Sequence, residues 1–489
     1  MLINLRRAPD PLLGWGLSLL LLVAPAPAQL LTGLLGNDTG RLMVSDSVLP
    51  FGSLPDFIGS GTADHPLSRL ELEARYDDVF RERGTVRRND VNRWEHRASL
   101  KIPVGPQHGR LMLTYRQVQA EIDLRPFADQ STSLGSNKRQ LQVGYGRRLT
   151  GLVSRSTVAV EATQLDGDLY AGYRLGLITA PWHGLRLALD GGWRFDGQSL
   201  VWRFEDQSFP GSTTYREDWL DLGAVWKPSD RLVLEASYGQ GIIAATGDQS
   251  AGADIRFAPR LSKYSRLLGV GVRPGDGRLG VGIRLWSMVA DGTGKVYDAG
   301  RQFGYLAELD VSERRLQLWV DRRGSRGVIR LQFDRRQLAA TGSGHLEPWP
   351  FGDNIFDQLY TIYFSDRAEL SLDRLELGFI RKAAGRPDWN FKLVYILVKS
   401  ANRLVWQQRL FLIFFGEIHR EELNLAAAEL LVPTAAKTWR MGPVDLTYTF
   451  TQVIPIRVRL RREAPPDVPR VKTRKRGGGY HRLKLAYGW

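Results

Sequence analysis

From Leu67 to the carboxy terminus, apolar and polar residues alternate with a period of two. Leu70, Leu72, Ala74 and Tyr76 alternate with Arg69, Glu71, Glu73 and Arg75, and Leu169, Ala171, Tyr173, Leu175 and Leu177 with Tyr170, Gly172, Arg174 and Gly176. Side chains two apart lie on one side of a strand, so each run predicts a strand with one apolar and one polar face. The rhythm recurs at 141–145, 185–193, 220–226, 232–238, 279–285, 316–320 and 329–333, with turn residues such as Asp166-Gly167-Asp168 between runs. The run Val444–Leu460 alternates over seventeen positions, interrupted at Gln452, whereas strands of soluble sheets usually reach five or six residues. Pro455 within it cannot donate to a ladder, which predicts a bulge and a change of register beyond it. One stretch departs from the pattern: Glu417–Leu431 has a helical spacing of apolar residues, ended by Pro433, and predicts a short helix.

The chain ends on Leu483, Leu485, Tyr487 and Trp489 at two-residue steps. An apolar face that closes on an aromatic residue resembles the last strand of Gram-negative outer-membrane β-barrels of the porin type. That resemblance implies an all-β, antiparallel transmembrane barrel over residues 67–489, of about 18 strands (range 16–22), an even number with both termini periplasmic. It also implies recognition of the closing strand by the barrel-assembly machinery, and outer-membrane lipid and lipopolysaccharide as surroundings. Residues 1–28 read as a signal peptide, with Arg6 and Arg7, an apolar stretch from Leu12 to Val23, and cleavage near Ala28. Residues 29–66 lack sustained periodicity and read as a periplasmic arm or plug.

Composition then narrows the function. The formal net charge is +15, but export removes nucleic acid as a partner. The chain has no cysteine, which excludes disulfides, a cysteine nucleophile and thiolate metal sites. None of the seven histidines has metal-binding spacing, and His96 with Ser99 or His183 with Asp190 are chance pairings rather than catalytic ones, so neither enzyme activity, a metal nor a cofactor is expected. If the apolar face of the Val444 strand meets lipid, unbroken alternation puts Arg457, Arg459 and Arg461 in the lumen, with Arg174, Arg186, Arg284, Arg330, Arg482, Lys484, Glu71, Glu73, Glu235, Glu308, Asp310 and Asp334 as further lumen residues. The connection after this strand carries Arg462, Arg470, Lys472, Arg474, Lys475 and Arg476 and is extracellular. From Arg461 onward nine basic residues face Glu463 and Asp467, a net of +7. Clustered positive charge concentrates anions. These features predict an outer-membrane channel for anionic or polar solutes. A looser resemblance, to alginate-export-type channels, extends this to an exopolysaccharide export pore. The alternative is a structural barrel that sheathes a periplasmic partner and has no open pore.

Overall fold

The computed structural model describes residues 69–84, 88–104, 109–127, 130–149, 152–165, 167–204, 207–250, 254–275, 278–298, 303–325, 327–347, 360–381, 388–410, 417–463, 473–474 and 478–488. The predicted signal peptide and arm, Trp489, and Arg470, Lys472, Lys475 and Arg476 lie outside them. Every element is a strand: β1 (Arg69–Gly84), β2 (Arg88–Val104), β3 (Gly109–Phe127), β4 (Gln130–Arg148), β5 (Val153–Leu165), β6 (Asp168–Thr179), β7 (Leu185–Phe204), β8 (Gln207–Ser229), β9 (Leu232–Ser250) and β10 (Asp254–Val272). There follow β11 (Leu279–Asp298), β12 (Phe303–Gly324), β13 (Gly327–Glu347), β14 (Tyr360–Arg381), β15 (Asp388–Leu410), β16 (Glu417–Met441), β17 (Val444–Gln452), β18 (Ile454–Glu463), β19 (Thr473–Arg474) and β20 (Gly479–Gly488).

From β1 to β16 each strand pairs antiparallel with its neighbours in sequence, β16 pairs with both β17 and β18, and β20 closes the wall. It runs against β1 from Arg69↔Gly488 to Asp78↔Gly479 and against β17 from Val444↔Tyr487 to Gln452↔Gly479. β17 and β18 are one strand of the wall, interrupted at Val453, so the barrel is closed with 18 strands and β19 is a two-residue addition on β1. The end that carries Arg69 and Gly488 is called proximal below, and the opposite end distal. Proximal turns are tight. The β16–β17 connection needs only Gly442 and Pro443, with Gly442 at φ 61°, and Gly184 in the β6–β7 turn (φ 80°) has no space for a side chain because a Cβ would stand 2.1 Å from the Lys227 carbonyl oxygen. The β5–β6 hairpin is short. Distal to it β4 pairs directly with β7 (Gln130↔Phe204 to Gly135↔Ser199), and the Trp193 indole donates to the Ala171 carbonyl at 2.9 Å.

Registers identify the two faces. Leu285, Leu316, Phe333, Leu375 and Tyr395 are not scattered apolar residues but members of one outward band, together with Leu141, Val143, Val160, Leu175, Leu220, Leu222, Leu268, Val270, Leu483 and Tyr487. Large apolar side chains of this band are exposed. On an antiparallel wall whose other face is charged, such a band is the surface that meets hydrocarbon. Aromatic residues mark its edges, with Tyr145, Trp226 and Trp389 toward the proximal rim and Trp94, Tyr115 and Tyr264 toward the distal one.

On β10–β18 the polarity reverses distal to the band. Along β12 the outward positions run Val320, Leu318, Leu316 and then Arg314, Ser312, Asp310, while inward positions run Asp321, Gln317, Arg315, Glu313 and then Val311, Leu309. The inward side there gathers Met288, Val311, Leu338, Leu372, Ile396, Leu430 and Val453, all buried. Water, rather than lipid, outside this part of the wall accounts for the reversal: polar groups turn out and apolar ones turn in. The reversal also corrects the predicted helix over 417–431, since β16 pairs with β15 from Asp388↔Thr438 to Arg409↔Glu417. Its Leu425 and Leu431 face out and its Leu430 and Val432 face in, because the strand crosses from the lipid band into the distal core, and apolar residues on both faces imitate a helical spacing.

Placing a charge separates the faces experimentally. Leu377→Arg, on the outward band, is expected to cost about 2–4 kcal/mol near mid-bilayer. Gln142→Arg, on the inward face, is expected to cost under about 1 kcal/mol. Urea unfolding of the barrel in lipid vesicles measures both, and equal costs would contradict the face assignment.

Candidate functional site: the charged lumen and its proximal vestibule

The inward face of the proximal and central wall is a belt of ion pairs. Arg482 bonds Glu73 at 2.7 Å and Lys484 bonds Glu71 at 3.1 Å across the closing seam. Arg116 bonds Glu95 at 2.7 Å, and Arg174 grips Asp190 with two bonds, 2.8 and 2.9 Å. Glu217 takes both Arg194 and Lys263, while Asp321 takes Arg273 at 3.1 Å and Arg330 at 3.3 Å. Arg315 pairs with Asp334, Arg336 with Glu313, and Glu376 with both Arg374 and Lys392. Asp190, Glu217, Asp321 and Lys263 are almost fully buried, so removal of one partner strands a charge at low dielectric.

Three of these contacts skip a strand, and an inward glycine of the intervening strand makes room. Lys263 of β10 reaches Glu217 of β8 over β9, whose Gly241 is the register partner of Lys263. Glu235 of β9 meets Arg284 of β11 at 2.7 and 2.8 Å over Gly269 of β10. Arg273, just past β10, meets Asp321 of β12 over Gly280 of β11, where a Cβ would stand 2.3 Å from Asp321 Oδ1. A side chain between the partners would hold them apart.

At the proximal mouth the charges are no longer all neutralised. A cavity of about 1000 Å³ opens among the proximal ends of β5–β12, lined in part by Arg155, Arg186, Lys227, Arg231, Asp230 and Trp319. Arg186, Lys227 and Arg231 are exposed, and among the described residues none of them has an ion-pair partner. With Asp230 as the nearby counter-charge in the sequence of the turn, the mouth is net cationic.

The lumen assignment made from alternation holds for Glu71, Glu73, Arg174, Arg186, Glu235, Arg284, Arg330, Asp334, Arg482 and Lys484. It fails for Glu308 and Asp310, which lie outward and exposed on the distal part of β12. It fails also for Arg457 and Arg459. Pro455 is opposite Leu430 but Arg457 is opposite Glu429, so Ile456 is an extra residue and the phase changes there. Arg457 and Arg459 consequently take the outward register of Glu429 and Ala427, Arg461 is paired with Leu425, and Arg457 stands 3.9 Å from Glu429. Arg462 and Arg474 lie in strands at the distal end, opposite Asn424 and Arg83. Leu483, Leu485 and Tyr487 occupy the outward band beside β1 and β17. The weighed histidine pairs are taken apart: His96 faces out while Ser99 is buried inward, and His183 is an exposed turn residue while Asp190 is bound to Arg174. Among the described residues no group of three His, Asp or Glu side chains is arranged to hold a metal ion. Of the vestibule cations only Arg186 is legible as a lumen residue; Lys227 and Arg231 give no sequence signal, because they join it only through the turns of neighbouring hairpins.

No protein-family model matches the chain, and no curated protein matches it. Among solved structures it is similar to the siderophore receptor PirA from Pseudomonas aeruginosa (9% identity, 86% of this chain and 80% of that one, TM-score 0.35). It is similar to the ferric yersiniabactin uptake receptor FyuA from Yersinia pestis (8%, 86% and 80%, TM-score 0.38) and to the toluene transporter TodX from Pseudomonas putida (9%, 87% and 90%, TM-score 0.33).

The glycine positions are testable. Gly280→Leu forces a side chain between Arg273 and Asp321 and is expected to destabilise the barrel by about 1–3 kcal/mol. Gly275→Ala, in a turn with nothing within 4 Å of the new Cβ, has only its positive φ to overcome and is expected to cost about 1 kcal/mol or less. Urea midpoints in detergent decide, and a Gly280 variant as stable as the parent would contradict the strand-skipping pairs.

Proposed function

We propose that the protein is an outer-membrane channel for anionic or polar solutes, entered on the periplasmic side through the cationic vestibule. The observation that carries this reading is the contrast between the two levels of the lumen. Charges of the belt are neutralised by neighbours, whereas Arg186, Lys227 and Arg231 at the mouth have no ion-pair partner among the described residues. Unneutralised cations around a low-dielectric cleft raise the local concentration of anions. The proximal rim, where the first residue of β1 and the last of β20 are paired, is read as periplasmic, as in single-chain outer-membrane barrels. Arg462 and Arg474, in strands at the distal end, then lie at the cell-surface side. An anionic polymer, such as an exopolysaccharide on its way out, has the same charge requirement as a small anion.

A second reading rests on the distal core. Met288, Ile396, Leu430 and Val453 put buried apolar surface inside the distal wall, which suits a barrel that encloses a partner rather than an open conduit. Planar-bilayer recordings separate the two. The channel reading predicts unit conductance, a reversal potential on the anion side in a salt gradient, and a shift toward cations when Arg186, Lys227 and Arg231 are replaced by Glu. Folded protein with no unit conductance, or cation preference in the unmodified chain, would overturn it; the former with a stoichiometric co-purifying polypeptide is what the sheath predicts.

A further inference from the structure

The phase change at Ile456 removes arginines from the lumen and completes something on the other side of the wall. One hydrogen-bonded row of outward residues runs Arg314↔Gln337↔Ser371↔Lys399↔Ala427↔Arg459 across β12 to β18. The row nearer the apolar band runs Leu316↔Arg335↔Asp373↔Leu397↔Glu429↔Arg457, and its charges neutralise one another: Arg335 bonds Asp373 at 2.7 Å, and Arg457 faces Glu429. Beside hydrocarbon, charges are costly unless paired. One step farther out the pairing stops. Arg314, Lys399 and Arg459 are exposed, and none has an ion-pair partner among the described residues.

These cations border a groove of about 610 Å³ on the outer wall, with small residues such as Ser312, Ser371 and Ala427 between them. Strands about 4.8 Å apart put Lys399 and Arg459 about 10 Å from one another and Arg314 about 14 Å from Lys399. That spacing suits phosphates at opposite ends of a disaccharide. The height suits a headgroup, immediately beyond the band that meets acyl chains.

We propose that this groove binds one phosphorylated glycolipid of the outer leaflet, its phosphates held by Lys399, Arg459 and Arg314 and its acyl chains lying on the band beneath. The site shares with the channel reading only the assignment of the distal end to the cell surface, and it stands whether or not the lumen conducts. It assigns the bulge a role: unbroken alternation would have turned Arg459 inward.

The test is native mass spectrometry of the full-length barrel released from detergent with bisphosphorylated lipid A, its dephosphorylated form, or inorganic phosphate. The parent is expected to retain one bisphosphorylated lipid, with binding weakened at least about tenfold when Arg314, Lys399 and Arg459 are all replaced by Ser. A control that replaces Arg260, Arg266 and Arg322, outward cations of β10 and β12, is expected to bind like the parent, and Lys399→Ser alone gives a milder variant should the triple one fold poorly. Heat-modified electrophoretic migration reports folding independently of both lipid binding and conductance. Equal retention by the triple variant and the parent, equal retention of the dephosphorylated lipid, or inorganic phosphate bound as tightly as the lipid would each overturn the proposal.

Discussion

A wall in hydrocarbon cannot leave a backbone N–H or C=O without a partner, and the ladder between β20 and β1 is where this chain meets that constraint. Without it, two strand edges would face lipid. With it, every strand from β1 to β18 is held at a fixed register to its neighbours, and the two-residue period of each strand becomes a property of the whole wall. Lipid outside and charge inside follow from this phase. A slip of one residue anywhere would exchange Leu483 and Tyr487 for Arg482 and Lys484 on the lipid face.

The phase is kept while the solvent changes. In the band, outward apolar residues face lipid and inward charges neutralise one another in the lumen. Distal to it the same strands carry polar residues outward and bury Met288, Ile396 and Leu430 inward. The backbone does not register this transition; only the side chains do. In β18 the extra residue at Ile456 changes the phase itself and puts Arg457 beside Glu429 and Arg459 beside Ala427. The lumen gains its cationic character elsewhere, at the proximal turns, where Arg186, Lys227 and Arg231 surround the vestibule.

Much of the architecture is legible in the residues. Long period-two runs and the closing Leu483-Leu485-Tyr487 face lead to an antiparallel barrel, and turn clusters lead to a strand number near that observed. Pro455 announces the bulge, because a residue that cannot donate breaks a ladder. Its consequence for Arg457 and Arg459 is harder to read, since a bulge shifts the phase only if its extra residue has no counterpart on the partner, and that depends on β16. The stretch Glu417–Leu431 misleads for a different reason: a strand that passes from lipid to a buried core is apolar on both faces in turn, and local spacing alone cannot tell it from a helix. Glu308 and Asp310 read as lumen residues because charge on a membrane strand suggests the inside, yet they lie beyond the bilayer. The strand-skipping pairs over Gly241, Gly269 and Gly280 are not legible at all, for they join residues two strands apart.

The phase of the wall, and its change at Ile456, is the claim on which both the lumen and the outer groove rest. Spin labels placed one at a time from Thr449 to Arg459 in the reconstituted barrel test it directly, through collision with oxygen, which concentrates in lipid, and with a water-soluble nickel complex. The account predicts strong oxygen contact at Phe450, Ile454 and Ile456, weak contact with either reagent at Thr449, Thr451 and Val453, and strong nickel contact at Arg457 and Arg459. Unbroken alternation through Arg459, with Arg457 and Arg459 shielded like Thr449 and Thr451, would contradict it.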